Sequence, residues 1–392
     1  MRCTISGVNS GFGPLDVKRI AADRKSRYGK LSNQTRSRRV SPDVVAGEGS
    51  QQLLCSAIAE SRLQSLPPMK AIIARLAIVA VSLWTFRSAW PEELAPGDYR
   101  FEVDAGGRRR SYLVHVPHQA VREPLPVVLS LHGGGGNARQ HRQSTGMDAA
   151  ADRDGHMVIY PNGTGRLGEH LLTWNAGNCC GYAQARGVDD VEFVSTLLDD
   201  IERRATINPR RIYVAGHSNG GMMAHRLGDE LPERIAAIAS VAGARVPGPG
   251  KGRAIPVLHI HSEDDPRAPY AGGLGPPFPL TGARVSHSSV ATTVSAWVLR
   301  NGCNPLAAEA EYRKAGTHIA RLSVYGNCRD GAEVALWRLA GAGYGWPGTT
   351  SNREALVGPA TRVIEANTEI WKFFSRFSLP RSIQEERRVA AP

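Results

Sequence analysis

Cysteine is scarce in this chain and badly arranged for metal. Its six cysteines, Cys3, Cys55, Cys179, Cys180, Cys303 and Cys328, form no C-x-x-C pair and no Cys/His cluster at zinc spacing. That argues against zinc-module and thioredoxin-type readings. Six are also few for a disulfide scaffold, yet the four in the main body fit an exported protein with one or two bridges. Aromatic residues make up 6% of the chain and do not interleave with basic runs. The formal charge of +12 therefore does not read as a nucleic-acid surface. Residues 1–68 hold 11 Lys/Arg against 5 Asp/Glu, so half of that excess belongs to an N-terminal extension. There is no internal repeat, and no apolar run is long enough for a comfortable membrane span.

What is present divides into four parts. Residues 1–68 show no sustained period of 2 or 3.6 and read as a disordered, solvated basic extension. From Met69 a basic start, an apolar stretch from Leu76 to Phe86 and the small residues Ser88 and Ala89 make the pattern of a signal peptide. Arg87 is an imperfection in it, and an uncleaved signal anchor is the alternative. An internal signal makes sense if translation starts at Met69, with 1–68 ahead of the true start. A large domain over 96–376 and a polar tail over 377–392 follow. The chain is expected to be secreted, to touch a membrane only through 69–89 if that segment is retained, and to act as a monomer.

The domain alternates strands and helices. Tyr99–Val103 and Arg110–Val116 read as a hairpin around Ala105-Gly-Gly107. The continuous apolar runs Leu125–Leu131, His156–Pro161, Arg211–Ala215, Ile235–Val241 and Ile255–His261 read as strands buried on both faces. Between them, 189–201 places Val191, Val194, Leu197, Leu198 and Ile201 at helical spacing. Helices are also predicted from Gly221 onward, over 286–300 and over 360–374, and strands over 318–325 and 333–340. The expected fold is α/β, with a mostly parallel central sheet and helices on both faces.

Chemistry enters at Gly216-His-Ser-Asn-Gly220, a G-x-S-x-G sequence between a strand run and a helix start. Such a turn exposes a serine on a tight strand-to-helix elbow and requires small residues beside it. Ser218 is the candidate nucleophile. His132-Gly-Gly-Gly-Gly136 ends another buried strand, where glycine lets backbone N–H groups face a substrate oxygen. The N–H groups of Gly134 and Asn219 are the oxyanion-hole candidates. The acidic turn Ser262-Glu-Asp-Asp-Pro266 lies at the carboxyl end of a strand, where Glu263, Asp264 and Asp265 compete for the orienting acid. His259 and His261, at spacing two, read as sharing one packed face rather than as metal ligands. No metal or organic cofactor is implied.

These residues resemble the secreted polyhydroxybutyrate-depolymerase-type esterases, which are similar to feruloyl and acetylxylan esterases and carry an α/β-hydrolase fold. The likeness covers about 96–375. It rests on Leu131–Ala138, Trp174-Asn-Ala-Gly-Asn-Cys-Cys-Gly181, Val188-Asp-Asp-Val191, Gly216–Gly221, His261–Tyr270 and Trp346-Pro-Gly348. It implies an acyl-enzyme on Ser218, and selects Asp265, directly before Pro266, as the acid. It also implies a bridge between Cys303 and Cys328, leaving Cys179 and Cys180 as either a vicinal disulfide or free thiols. Trp174 and Trp346 are candidate walls for an ester substrate, polymeric or small, with ordinary packing as the alternative.

One position departs. The family's closing motif reads G-G-G-H-x-W-P-G, and here Tyr344 stands at its histidine. A phenol with pKa near 10 is only about 0.1% ionised at pH 7. His132, His217, His225 and His318 are the other histidines weighed as a substitute base. Three readings follow: an inactive ligand-binding relative, weak activity through Tyr344 or a displaced base, or a recent single-base change from histidine.

Overall fold

The structure is a computed structural model that describes residues 94–118, 124–248, 252–278, 282–350 and 354–381. The extension 1–68 and the signal-like segment 69–89 lie outside the described residues. Among the described residues no helix is long and apolar enough to cross a membrane.

In chain order the elements are β1 (Gly97–Ala105), β2 (Arg108–Val116), β3 (Leu125–Leu131), α1 (Ala138–Thr145), α2 (Met147–Asp154), β4 (Met157–Pro161), α3 (Gly181–Ala185) and α4 (Asp190–Arg204). Then come β5 (Ile207–His217), α5 (Asn219–Glu230), β6 (Ala237–Val241), β7 (Val257–Ser262), β8 (Gly273–Leu274), β9 (Ser286–His287) and α6 (Val290–Asn301). The chain closes with β10 (Ala308–Ala315), β11 (His318–Tyr325), β12 (Val334–Ala340), α7 (Glu354–Val357) and α8 (Ala366–Phe374).

Ten strands form one sheet in the order β1-β2-β4-β3-β5-β6-β7-β12-β11-β10. The stretch from β4 to β12 is parallel throughout. An antiparallel hairpin closes each edge: β1–β2 joins β4, and β10–β11 joins β12.

The parallel strands are apolar on both faces, and their alternation separates two cores. Val127, Leu129 and Leu131 of β3 and Ile212 and Val214 of β5 pack with α4, α5 and α6 through Phe193, Met223, Leu227 and Trp297. Val128, Tyr213 and Ala215 face the other way, toward Met147, Ile370 and Phe374 of α2 and α8. The expected α/β fold with helices on both faces is the observed one.

Helix ends follow local chemistry. The Asp189 carboxylate accepts from the N–H groups of Val191 and Glu192 to start α4. Asn137 caps α1 through Gln140 N–H, and Gly146 ends that helix at φ 60°.

Three expectations need correction, and one strand was not predicted. The helix predicted over 286–300 begins only at Val290, because Ser286 and His287 pair with β8 and Ser289 caps the helix through Thr292 N–H. The closing helix spans 366–374 rather than 360–374, since Gly348 N–H reaches back to the Thr361 carbonyl and holds the chain before it irregular. Strand β10 was unforeseen; it is an edge strand, mostly exposed and charged, so no apolar pattern announces it. The tail does not detach at 377: Leu379 is buried and donates its N–H to Arg210, and Tyr213 Oη donates to the Phe377 carbonyl.

Several buried histidines are uncharged here. Burial holds His132 and His156 down to about 4 and His225 to about 3, against an ordinary value of 6.5. A group depressed in this way contributes stability above the unfolded-state value and loses it as pH falls toward the folded one, because the unfolded chain binds the proton first. Buried Asp190, pushed up, acts oppositely. Urea unfolding at pH 5 is therefore expected at a clearly lower midpoint than at pH 7, with each histidine contributing up to about 1.4 kcal/mol per pH unit below 6.5. An unchanged or higher midpoint would contradict this assignment.

Candidate active site

The turn between β5 and α5 is forced by close backbone approach. A Cβ on Gly216 would fall on the carbonyl of Gly220. One on Gly220 would fall on the carbonyl of Leu131 and lie 2.5 Å from that of His132. One on Gly221 would meet Ser240 Oγ at 2.5 Å. The helix can leave the strand at this angle only without those methyl groups. Ser218 absorbs the turn at φ 54°, ψ −119°, a left-handed conformation that costs a non-glycine residue on the order of 1–3 kcal/mol. Its N–H donates to the Val241 carbonyl at 2.8 Å and its carbonyl accepts from Met222 N–H at 2.8 Å. The Ser218 side chain is thereby fixed at the carboxyl edge of the sheet.

The glycine loop after β3 lies over this turn. A Cβ on Gly133 would stand 3.5 Å from Ser218 Cβ, and one on Gly134 3.5 Å from Asn219 Cβ. Among the described residues the backbone N–H groups of Gly134 and Asn219 meet no acceptor, whereas Gly135 and Gly136 donate to Leu172 and Gly133. The Asn219 side chain is committed elsewhere: Oδ1 accepts from Trp174 N–H at 2.8 Å and Nδ2 donates to the Trp174 carbonyl at 3.0 Å.

That clamp corrects the expectation for Trp174. Its indole is fully buried, donates to the His132 carbonyl at 2.9 Å and lies against the His132 ring, so it supports the glycine loop from beneath. Trp346 is likewise buried, with Nε1 donating to Asn367 at 3.0 Å and its ring edge-on to His141. Both tryptophans are packing residues, and neither presents an open wall. The Val188–Val191 motif is also structural. Asp190 is buried, accepts from Arg110 at 2.7 Å and from Asn175 N–H at 2.7 Å, and so ties α4 to β2 and to the loop after Trp174.

Geometry separates the three acids after β7. Glu263 is exposed beside Arg338 at 3.6 Å. Asp264 is exposed and its Oδ2 accepts from Gly341 N–H at 2.7 Å. Asp265 alone is buried. Its Oδ1 accepts from the N–H groups of Arg267 and Ala268 at 2.7 and 2.8 Å, and its Oδ2 is buried without any hydrogen-bond partner.

Tyr344 is carried into the same place by a pinned loop. Its N–H donates to the Val357 carbonyl at 2.6 Å, and its carbonyl accepts from His217 Nε2 at 2.9 Å. Both Ser218 and the charge of Asp265 act on its phenol. Burial pushes that phenol up to about 12, only partly offset by Ser218. At pH 7 about one molecule in 100,000 carries a phenolate.

The other histidines are engaged elsewhere. His217 is held by the Tyr344 carbonyl. His132 lies between the Gly133 carbonyl and Gly163 N–H. His225 uses both ring nitrogens in the core, on Trp297 and His259. His318 begins strand β11, beside the turn at Gly341. His287 was not foreseen. It feels the charge of Asp265, its Nδ1 is buried without a hydrogen-bond partner, and it lies on the short β8–β9 hairpin.

The bridge between Cys303 and Cys328 is formed, with an S–S distance of 1.96 Å, and ties the end of α6 to the chain after β11. Cys179 and Cys180, left open by the sequence, are paired as a vicinal disulfide across a cis peptide bond. Asn219 Nδ2 approaches Cys179 Sγ at 3.9 Å.

A family model described as Esterase PHB depolymerase matches residues 110–271, which includes Ser218 and Asp265 and stops short of Tyr344. "Putative esterase NocK" of Nocardia uniformis subsp. tsuyamanensis is 33% identical over 282 residues, 67% of this chain and 78% of that protein. "Feruloyl esterase B" of Piromyces equi is 29% identical over 267 residues, 65% of this chain and 42% of that protein. "Poly(3-hydroxybutyrate) depolymerase" of Ralstonia pickettii is 33% identical over 135 residues, 32% of this chain and 26% of that protein. The chain thus spans less than half the length of the latter two. Among solved structures, "Acetyl xylan esterase from Aspergillus awamori" is 14% identical at a TM-score of 0.49, covering 71% of this chain and 99% of that one.

The elbow geometry carries its own test. Gly220→Ala is expected to lower unfolding stability by at least about 3 kcal/mol in urea, while Gly345→Ala, facing open space, changes it by less than about 1 kcal/mol. Equal effects would show that the close approach at Gly220 is not the constraint described.

Proposed function

Because the chain belongs to the esterase PHB depolymerase family of carboxylic-ester hydrolases, we propose that it forms an acyl-enzyme on Ser218, with turnover held low by Tyr344. The N–H groups of Gly134 and Asn219 would hold the developing oxyanion, and Asp265 would orient the base. The names of the relatives favour polyhydroxyalkanoate oligomers or feruloyl and acetyl esters as substrates, and the leader-like segment from Met69 together with the Cys303–Cys328 bridge favours export.

One observation carries the reading of low turnover: the group at position 344 that acts on Ser218 is a phenol pushed up to about 12 by burial, while Asp265 Oδ2 is buried with no hydrogen-bond partner. An imidazole has two ring nitrogens, one to take the Ser218 proton and one to donate to the acid. A phenol has one oxygen and cannot do both. As a neutral group well above its ordinary value it cannot accept the serine proton during attack, so nucleophile, oxyanion donors and acid remain without a base. The same observation favours a second reading, a protein that binds esters and does not turn them over.

Hydrolysis of p-nitrophenyl butyrate by wild type, Ser218→Ala and Tyr344→His separates these. The expected result is a small Ser218-dependent rate in wild type, raised about 100-fold or more by Tyr344→His, the range general-base catalysis supplies. No Ser218-dependent rate in wild type, with a gain in Tyr344→His, selects the binding reading. A wild-type rate that Tyr344→His fails to raise would refute the claim that Tyr344 limits turnover.

A further inference from the structure

Three histidines form a continuous line through the core on the α5 side of the sheet. Trp297 Nε1 donates to His225 Nδ1 at 2.9 Å. His225 Nε2 lies 3.4 Å from His259 Nδ1, and His259 Nε2 lies 3.1 Å from His261 Nδ1. His261 Nε2 ends the line at the Ala268 carbonyl, 2.8 Å away, and 3.4 Å from Asp265 Oδ2. The rings stack at 5.5 and 5.3 Å, and none of the four side chains is more than 2% exposed. His259 and His261 share one face of β7, as their spacing suggests, and their nitrogens bond one another in series.

The chemistry of the two ends fixes the direction of the whole line. An indole N–H can only donate, and a carbonyl can only accept. A neutral imidazole has one donor and one acceptor nitrogen, so each ring accepts at Nδ1 and donates from Nε2. Any reversal would set two lone pairs or two N–H groups against each other in a dry core, where an unmade hydrogen bond is costly. The last N–H therefore always faces the turn that carries Asp265. That turn is closed by Ala268 N–H donating to Asp265 Oδ1, so a bond to the Ala268 carbonyl holds the carboxylate from behind.

We propose that the Trp297–His225–His259–His261 line is a one-way hydrogen-bond wire whose terminal N–H positions Asp265, making His261 a positioning residue for the esterase site. This rests on the function proposed above for Asp265. It leaves Oδ2 buried without a hydrogen-bond partner. A different tautomer at His261 would put a lone pair against both the Ala268 carbonyl and the carboxylate, and the turn would move.

The test has two arms. In wild-type protein with 15N-labelled histidine at pH 7.5, NMR is expected to show His225, His259 and His261 all neutral with the proton on Nε2. An Nδ1–H form at any of the three overturns the wire. The second arm compares His261→Phe, which has no donor, with His261→Gln, whose amide can place an N–H near the position of Nε2. In the Tyr344→His background, His261→Phe is expected to lower kcat at least about tenfold with KM within about twofold, and His261→Gln to recover most of it. The 13Cγ resonance of Asp265 in the otherwise wild-type chain is expected to shift in His261→Phe and to stay in His261→Gln. Equal losses in the two variants, or an Asp265 resonance unmoved by His261→Phe, overturn the positioning role. Should Tyr344→His show no Ser218-dependent hydrolysis, the functional reading alone fails, because the Asp265 resonance still decides the wire.

Discussion

The whole site depends on how closely three pieces of backbone approach one another at Gly220. There the first turn of α5 touches the carbonyls of Leu131 and His132 at the end of β3, while Gly216 lets the end of β5 lie against the same turn. The approach sets the direction in which α5 leaves the sheet, and with it the strained φ of 54° that Ser218 must adopt. It also lays the glycine loop over the start of α5, leaving the N–H groups of Gly134 and Asn219 unpaired beside the serine. Ser218 and the N–H groups of Gly134 and Asn219 are thus one construction, held by Trp174 between His132 and Asn219. Strain at Ser218 is tolerated because the parallel sheet and two apolar cores over-determine the backbone around it.

The acid is held with similar care on the next strands. Asp265 receives two backbone N–H groups on one oxygen and keeps the other buried without a hydrogen bond, 3.4 Å from His261 Nε2. A buried carboxylate oxygen without a donor is expensive, and such exceptions concentrate at functional sites. The loop that carries position 344 is fixed through its backbone by Val357 and His217. On the proposed function, Ser218, Asp265 and the N–H groups of Gly134 and Asn219 supply an acyl-transfer site that lacks only the group that moves the proton.

Much of this was legible in the sequence, for identifiable reasons. Buried parallel strands such as Leu125–Leu131 read as unbroken apolar runs, and the elbow reads as glycines at fixed offsets around Ser218. Both signals are local. Asp265 could not be told from Glu263 and Asp264 by composition. The likeness to a family chose it, and burial supplies the physical reason: Asp264 is spent on Gly341 N–H and Glu263 on Arg338. The roles of Trp174 and Trp346 were not legible, because a tryptophan under a loop and one lining a cleft look the same in sequence. The histidine line was invisible as well, since its members come from α5 and β7 and its donor Trp297 from α6. Strand β10 escaped because a charged, exposed edge strand has no apolar stripe to betray it.

The central claim is that Ser218 is positioned for attack and left unactivated by Tyr344. The most direct measurement is the rate at which an alkyl fluorophosphonate labels Ser218, followed by intact mass and peptide mapping in wild type and Tyr344→His. Slow labelling confined to Ser218 in wild type, faster by about 100-fold or more in Tyr344→His, is the expected result. Wild-type labelling as fast as in the histidine variant, or labelling at another residue, would contradict it.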